Sequence, residues 1–202
     1  MVHPVFGRRR RRGRWLALIA VVLVVVAVAV AGAGVVWIGP MVAYDSIEEG
    51  SFSSVGPDGR SVPAGPFGSY VSIRYRAGMR TGVATSLENR GDRDVRVTAL
   101  GDRRGLSSVR PAGVRIAEGN GTGAPKRYVE FRAFDLPAGK TRGVRLLYRT
   151  GGCSALDEGS SVSFEAFNVR YRTGFVEREK TIELRSPIEF RRGEVCGRAR
   201  SG

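Results

Sequence analysis

Between Trp15 and Ile38 the chain runs 24 residues without a charge, WLALIAVVLVVVAVAVAGAGVVWI, and no other feature limits its architecture as much. As a helix at 1.5 Å per residue the stretch reaches about 36 Å, enough to cross a hydrocarbon core of roughly 30 Å with some tilt. It carries no polar stripe at 3.6-residue spacing, so no face of such a helix suits water. Trp15 and Trp37 stand at its ends, where indole rings settle at the headgroup level. The reading is one transmembrane helix over 15–38 in contact with membrane lipid. A cleaved signal peptide is the rival assignment, with cleavage after Ala33. Its apolar core, however, would end after about 7 to 15 residues, whereas this one continues through Val35, Val36, Trp37 and Ile38.

Arg8, Arg9, Arg10, Arg11, Arg12 and Arg14 lie immediately before the apolar run, and the other flank offers Asp45, Glu48 and Glu49 with no basic residue until Arg60. Positive charge is retained on the cytoplasmic side, so residues 1–14 form a basic cytoplasmic tail and everything after about residue 40 is extracytoplasmic, at the cell membrane. An arginine run can also bind nucleic acid. Placed directly against an apolar span, this one sets topology and meets anionic lipid, and no nucleic-acid partner is expected.

Between Gly50 and Ser69, 13 of 20 residues are Gly, Ser or Pro, too little apolar surface for a core, so 39–68 reads as a stalk. From residue 69 the pattern turns to period two. Val71, Ile73 and Tyr75 alternate with polar residues, as do Val83, Thr85 and Leu87, and then Val95, Val97 and Ala99. Asn89-Arg90-Gly91-Asp92 is turn chemistry and predicts that the second and third of these strands pair as a hairpin. Further strands follow at 128–134, 144–148, 162–171 and 176–184. Apolar parity switches between Phe164 and Phe167, which places a bulge near Ala166. Seven or more short strands, 28 glycines and no helical stretch predict an all-β, antiparallel immunoglobulin-like β-sandwich over 69–202, preceded by the transmembrane helix. Residues 101–126 are the least regular part and the first loop to consider for binding.

Cys153 and Cys196 are the two cysteines. Outside the membrane they predict a disulfide, and closing a loop of about 44 residues is worth roughly 4 kcal/mol. A redox pair lacks the Cys-x-x-Cys spacing. His3 is the one histidine and lies in the tail, so no Ser-His-Asp or Cys-His arrangement and no histidine-ligated metal can form in the outer domain. Asp135, Asp157, Glu158, Glu165, Glu177, Glu179 and Glu183 include several on solvent faces of strands, where charge is ordinary, rather than a glycosidase pair. Asp92 to Asp94 resembles only half a calcium loop. Arg90-Gly91-Asp92 and Asn120-Gly121-Thr122 spell an adhesion tripeptide and a glycosylation acceptor, but both are ordinary turns. The expectation is a protein that is not an enzyme and holds no cofactor or metal.

Arginines recur beside tyrosines: Arg74 and Arg76 around Tyr75, Arg127 before Tyr128, Arg149 after Tyr148, and Arg170 and Arg172 around Tyr171. Alternation sends tyrosine to one face and arginine to the other. Arg74, Arg76, Arg170 and Arg172 therefore predict a basic, anion-binding sheet face, with an ordinary solvated charged face as the alternative.

The order of elements, with Tyr75 to Gly78, "SLENRGDRDVRVTAL", "FDLPAGKTRGVRLLYRTGGC" and "FNVRYRTGF", resembles uncharacterised membrane-anchored immunoglobulin-like proteins of actinobacteria. The resemblance covers most of the chain after Tyr70 and implies the fold and the location, with no site residues to carry over. Together these readings predict a membrane-anchored cell-envelope binding or structural module contacting an anionic wall polymer or another envelope protein. The alternative is an accessory subunit of a membrane complex, contacted through the helix at its small residues Ala31 to Gly34.

Overall fold

A computed structural model of the chain describes residues 19–32, 44–51, 54–55, 59–63, 69–101, 106–121, 125, 127–194 and 196. It falls into two compact units, Met1–Tyr44 and Asp45–Gly202. In the first, 19–32 is helical with every residue exposed, and the exposed side chains include Ile19, Leu23, Val26 and Val30. Among the described residues no helix is long and apolar enough to cross a membrane. The flanks 15–18 and 33–38 of the expected span, with Trp15 and Trp37, lie outside the described residues, as do Arg8, Arg9, Arg10, Arg11, Arg12 and Arg14.

The second unit contains β1 (Ile47–Glu49), β2 (Ser54–Val55), β3 (Gly59–Pro63), β4 (Ser69–Arg74), β5 (Arg80–Asn89), β6 (Val95–Gly101), β7 (Val109–Ala117), β8 (Tyr128–Glu130), β9 (Phe134–Leu136), β10 (Thr141–Thr150), β11 (Ser161–Thr173) and β12 (Val176–Arg191). One sheet runs β1-β5-β10-β7-β8 with β2 also on β5; the other runs β3-β4-β12-β11-β6-β9. Lettering β1, β5, β6, β7, β10, β11 and β12 from A to G gives A-B-E-D in one sheet and C-F-G in the other, the immunoglobulin order. The sheets are not wholly antiparallel, because β4 pairs with β12 in parallel.

The tertiary structure corrects three expectations. The proposed stalk, 39–68, supplies β1, β2 and β3, so the folded unit begins at Asp45 and not at Ser69. Its short strands take their backbone bonds from β4 and β5, a source of order that composition does not register. The turn after β5 does not close a hairpin, since β5 and β6 lie in different sheets. Asn89, fully buried, makes the corner: its side-chain amide donates to the carbonyls of Arg93 and Leu136, and its Oδ1 accepts from Ser46 and from the Gly91 N–H. Those bonds hold the chain across the gap between sheets. Finally, the region 101–126, read as the first loop to consider for binding, contains the nine-residue strand β7. The bulge does fall between Phe164 and Ala166.

The sheets meet through aromatic rings. Tyr148 of β10 lies 4.9 Å from Phe164 and 5.5 Å from Phe190, ring centre to ring centre. Opposite the bulge, β12 leaves its ladder between Glu183 and Ile188, which frees the Arg185 N–H. The buried carboxylate of Glu49 on β1 accepts that N–H and, at 2.5 Å, the hydroxyl of Thr85, joining one sheet to the other.

Tyr75, also fully buried, donates to the carbonyls of Gly152 at 2.9 Å and Ser108 at 3.2 Å. Burial raises its pKa above the ordinary 10.0, opposed in part by the Arg192 cation and by the backbone bond. The folded chain thus holds this proton more tightly than the unfolded chain. Stability from Tyr75 is complete below pH 10.0 and is lost as pH climbs through the folded value. Tyr75→Phe is expected to lower stability by about 1 kcal/mol at neutral pH and to flatten the decline above pH ~10. Melting temperatures on either side of that pH check it, and an unchanged slope refutes it.

Candidate anion-binding face

On β10 the residues alternate by burial: Val144, Leu146, Tyr148 and Thr150 face the core, and Arg145, Leu147 and Arg149 face out. Register then decides what stands beside them. Arg149 is directly opposite Arg80 of β5 on one side and Arg110 of β7 on the other, three arginines in one row across three strands. Adjacent strands are about 4.8 Å apart, so the row is about 10 Å long. Leu147 lies between Gly82 and Gly113, and Arg145 lies opposite Arg115, which in turn faces Glu130 of β8. The face is therefore a trough with an arginine row at each end and a floor of two glycines and one leucine.

The glycines are needed for that shape. A Cβ on Gly82 would come within 2.7 Å of the Arg145 Nε and 2.9 Å of Leu147 Cδ2, so both side chains lean onto the bare backbone. Gly113 has φ +129° and open space above it, a conformation that a side chain would strain. The cavity has a volume of about 1440 Å³ and is bounded at the Arg80 end by Gly78, Gly151 and Gly152. A smaller apolar pocket of about 340 Å³ is lined by Leu100, Val114, Phe131, Leu146 and Leu147 among others.

Some cations elsewhere on the domain are paired with acids, although Arg60, Arg74, Arg132 and Arg191, like the arginines of this face, have no ion pair among the described residues. Arg90 pairs with Glu48 and Glu88, Arg96 with Asp135, Arg127 with Glu118, and Lys180 with Asp45. Among the described residues, Arg80, Arg110, Arg115, Arg145 and Arg149 have no ion pair. Glu130 is the one acid lining the cavity among the described residues. Arg145 sits 5.9 Å from the centre of the Tyr128 ring, whose hydroxyl is buried with no hydrogen-bond partner. Burial raises the Tyr128 pKa, and the Arg145 cation opposes the rise.

The face expected from sequence does not form. Arg170 is paired with Glu177 and Glu179, and Arg172 with Glu177, all across the β11–β12 ladder. Arg74 is on β4 opposite Arg191, which pairs with Ser161 at the other end of β11, nine residues or about 30 Å from Arg170. Arg76 follows β4, half-buried, and its carbonyl accepts from Met79. These four are therefore not one surface. Of the arginines noted beside tyrosines, Arg149 is the one that belongs to the trough. The other four were missed because no local pattern marks them; they converge only through strand register.

The disulfide is where sequence placed it. Cys153 and Cys196 are bonded, with Cα atoms 5.8 Å apart. Arg192 donates to the carbonyls of Cys153 and Leu156, and Tyr75 to that of Gly152, so the turn closing one end of the trough is held on both sides.

No protein family and no curated protein matches the chain. Among solved structures, the ASH / PapD-like domain of human CEP192 (PapD-like domain 7) aligns over 70% of this chain and 94% of its own, at 10% identity and a TM-score of 0.31. The Pseudomonas fluorescens alkylpurine DNA glycosylase AlkC, bound to DNA containing an abasic site analog, aligns over 69% and 31%, at 13% identity and a TM-score of 0.27. Scores this low carry no argument about fold or function. The immunoglobulin-like description rests on strand order.

Proposed function

We propose that the chain is a membrane-anchored, extracytoplasmic binding module of the cell envelope that holds an anionic wall polymer on the outer face of β5, β10 and β7. The observation that carries this reading is the row Arg80–Arg149–Arg110, three guanidinium groups side by side with no acid paired to them among the described residues. Like charges opposite one another destabilise a sheet, so such a row is a cost to folding that a bound anion removes. Arginine presents a planar fork of donors that fits phosphate and carboxylate in two-point contacts.

Anchoring is supported by the uncharged run 15–38, by the arginines before it and by the exposed apolar side chains of 19–32.

The test uses the full-length chain in phosphatidylcholine nanodiscs and a fluorescent oligo(glycerol phosphate). Binding is expected to weaken steeply with salt, as exposed charges are screened. Arg149→Glu is expected to lower affinity at least tenfold at low salt, while Arg172→Glu, outside the trough, leaves it unchanged. Absence of binding, or equal binding by the Arg149→Glu protein, defeats the reading.

A further inference from the structure

The ion pairs named above all lie at one end of the sandwich. Arg90, Arg96, Arg127, Arg170, Arg172 and Lys180 meet their acids around the Asn89 corner, the start of β6, the end of β7 and the β11–β12 turn. At the other end, arginines stand opposite one another on both outer faces. One sheet carries the row Arg80–Arg149–Arg110. On the other sheet, Arg74 of β4 is directly opposite Arg191 of β12, both exposed and neither in an ion pair among the described residues. The next row inward reads Arg60, Ser72, Glu189 and Ser163, so one acid accompanies three arginines on this face.

At this end residues 75–79 lead from β4 of one sheet to β5 of the other. The crossing is pinned to both faces: the Tyr75 N–H donates to the Arg191 carbonyl at 2.8 Å, the Tyr75 hydroxyl to Gly152 at 2.9 Å, and the Thr150 N–H to the Met79 carbonyl at 3.0 Å. It contains Arg76 and no acid, and its Ala77 and Gly78 line the trough, which therefore opens onto it. The neighbouring turn before β11 is different, since Asp157 and Glu158 are exposed there and repel an anion. Like charges directly opposite one another destabilise a sheet, and a small anion held in the trough leaves Arg74 and Arg191 uncompensated.

We infer that Arg74 and Arg191 form a second anion-binding subsite, on the opposite sheet from the trough, and that the ligand is a flexible polyanion that passes from the trough over the 75–79 crossing to reach it. The inference rests on the anion-binding reading of the trough and specifies a long chain, in place of a small anion, as the partner. Arg74 and Arg80 are joined by the crossing, so their backbones are at most about 22 Å apart, a gap that several repeat units of a polymer bridge. The second subsite then adds affinity through its effective concentration near the first.

Fluorescent oligo(glycerol phosphate) probes of two and of about twelve units separate the claims, titrated against the full-length chain in phosphatidylcholine nanodiscs at low salt. In Arg74→Gln/Arg191→Gln, whose two sites are exposed on a solvent face, affinity for the long probe is expected to fall at least about fivefold while affinity for the short probe is unchanged. Arg149→Glu is expected to weaken both probes. Arg96→Gln/Arg172→Gln removes the same charge from the ion-paired end and is expected to alter neither. Equal affinity of the long probe for wild type and Arg74→Gln/Arg191→Gln, or an equal loss for both probes in that variant, overturns the second subsite and leaves the trough standing. An equal loss of long-probe affinity in Arg96→Gln/Arg172→Gln overturns it too, because net charge then accounts for the effect. Failure of either probe to bind wild type overturns the trough reading and this inference together.

Discussion

Cys153→Ser is expected to lower the stability of the β-sandwich by about 4 kcal/mol, because the crosslink closes a loop of sequence separation 43 and the unfolded chain regains that loop's freedom. For a domain of this size the loss corresponds to a fall in melting temperature of roughly 10 °C. The double variant Cys153→Ser/Cys196→Ser should match the single one, since neither cysteine has another partner. Local order should suffer too. The turn that carries Cys153 presents the Gly152 carbonyl to Tyr75 and its own carbonyl to Arg192, and Gly151 and Gly152 bound the trough beside Arg80. Hydrogen exchange at 151–156 is therefore expected to rise more in the variant than exchange on β11. A melting temperature within about 2 °C of wild type would mean that the 161–191 strands and the Arg192 bonds already supply this closure.

Phe190→Ala is the other large effect, about 3–5 kcal/mol. Phe190 is fully buried where the parallel β4–β12 pairing and the aromatic contact between sheets coincide, with ring centres 5.5 Å from Tyr148 and 6.0 Å from Phe164. Truncation leaves a cavity against two rings that cannot move toward each other without shifting β10. Because β10 carries Arg145, Leu147 and Arg149 on its other face, the variant joins core packing to the trough. Against a total stability of roughly 5–15 kcal/mol this leaves a domain near its unfolding threshold. Phe190→Leu, which keeps most of the volume, should recover more than half of the loss in denaturant titrations. If the two variants are equally stable, the site is not close-packed.

Burial of Tyr75, Phe164 and Phe167 follows from their spacing in the chain, and so do the bulge near Ala166 and the cysteine pair, whereas the last strand runs on past the expected 184 to Arg191 and buries Phe190 as well. Period-two alternation is a local property: it places each side chain on a face whatever the strand's neighbours are. The 39–68 segment was misread for the complementary reason. Its order comes from edges supplied by β4 and β5, which its own composition does not contain. Asn89 shows the same division within one residue. Turn chemistry was visible, but whether the chain returned to the same sheet or crossed to the other was decided by a buried amide meeting Leu136, 47 residues away.

The candidate site divides along this line. Sequence alone determined that the chain carries one apolar run flanked by arginines, that the rest is β-structure with arginines directed outward, and that two cysteines are available to staple it, since composition and alternation act within a few residues. Which arginines stand together was decided only by tertiary structure. Arg170 and Arg172 lost their apparent role to Glu177 and Glu179 on the next strand, and Arg80, Arg110 and Arg149, spread over 70 positions, became neighbours through register. Coulomb interaction depends on distance in space, and in a sheet that distance is set by pairing, which no single strand encodes.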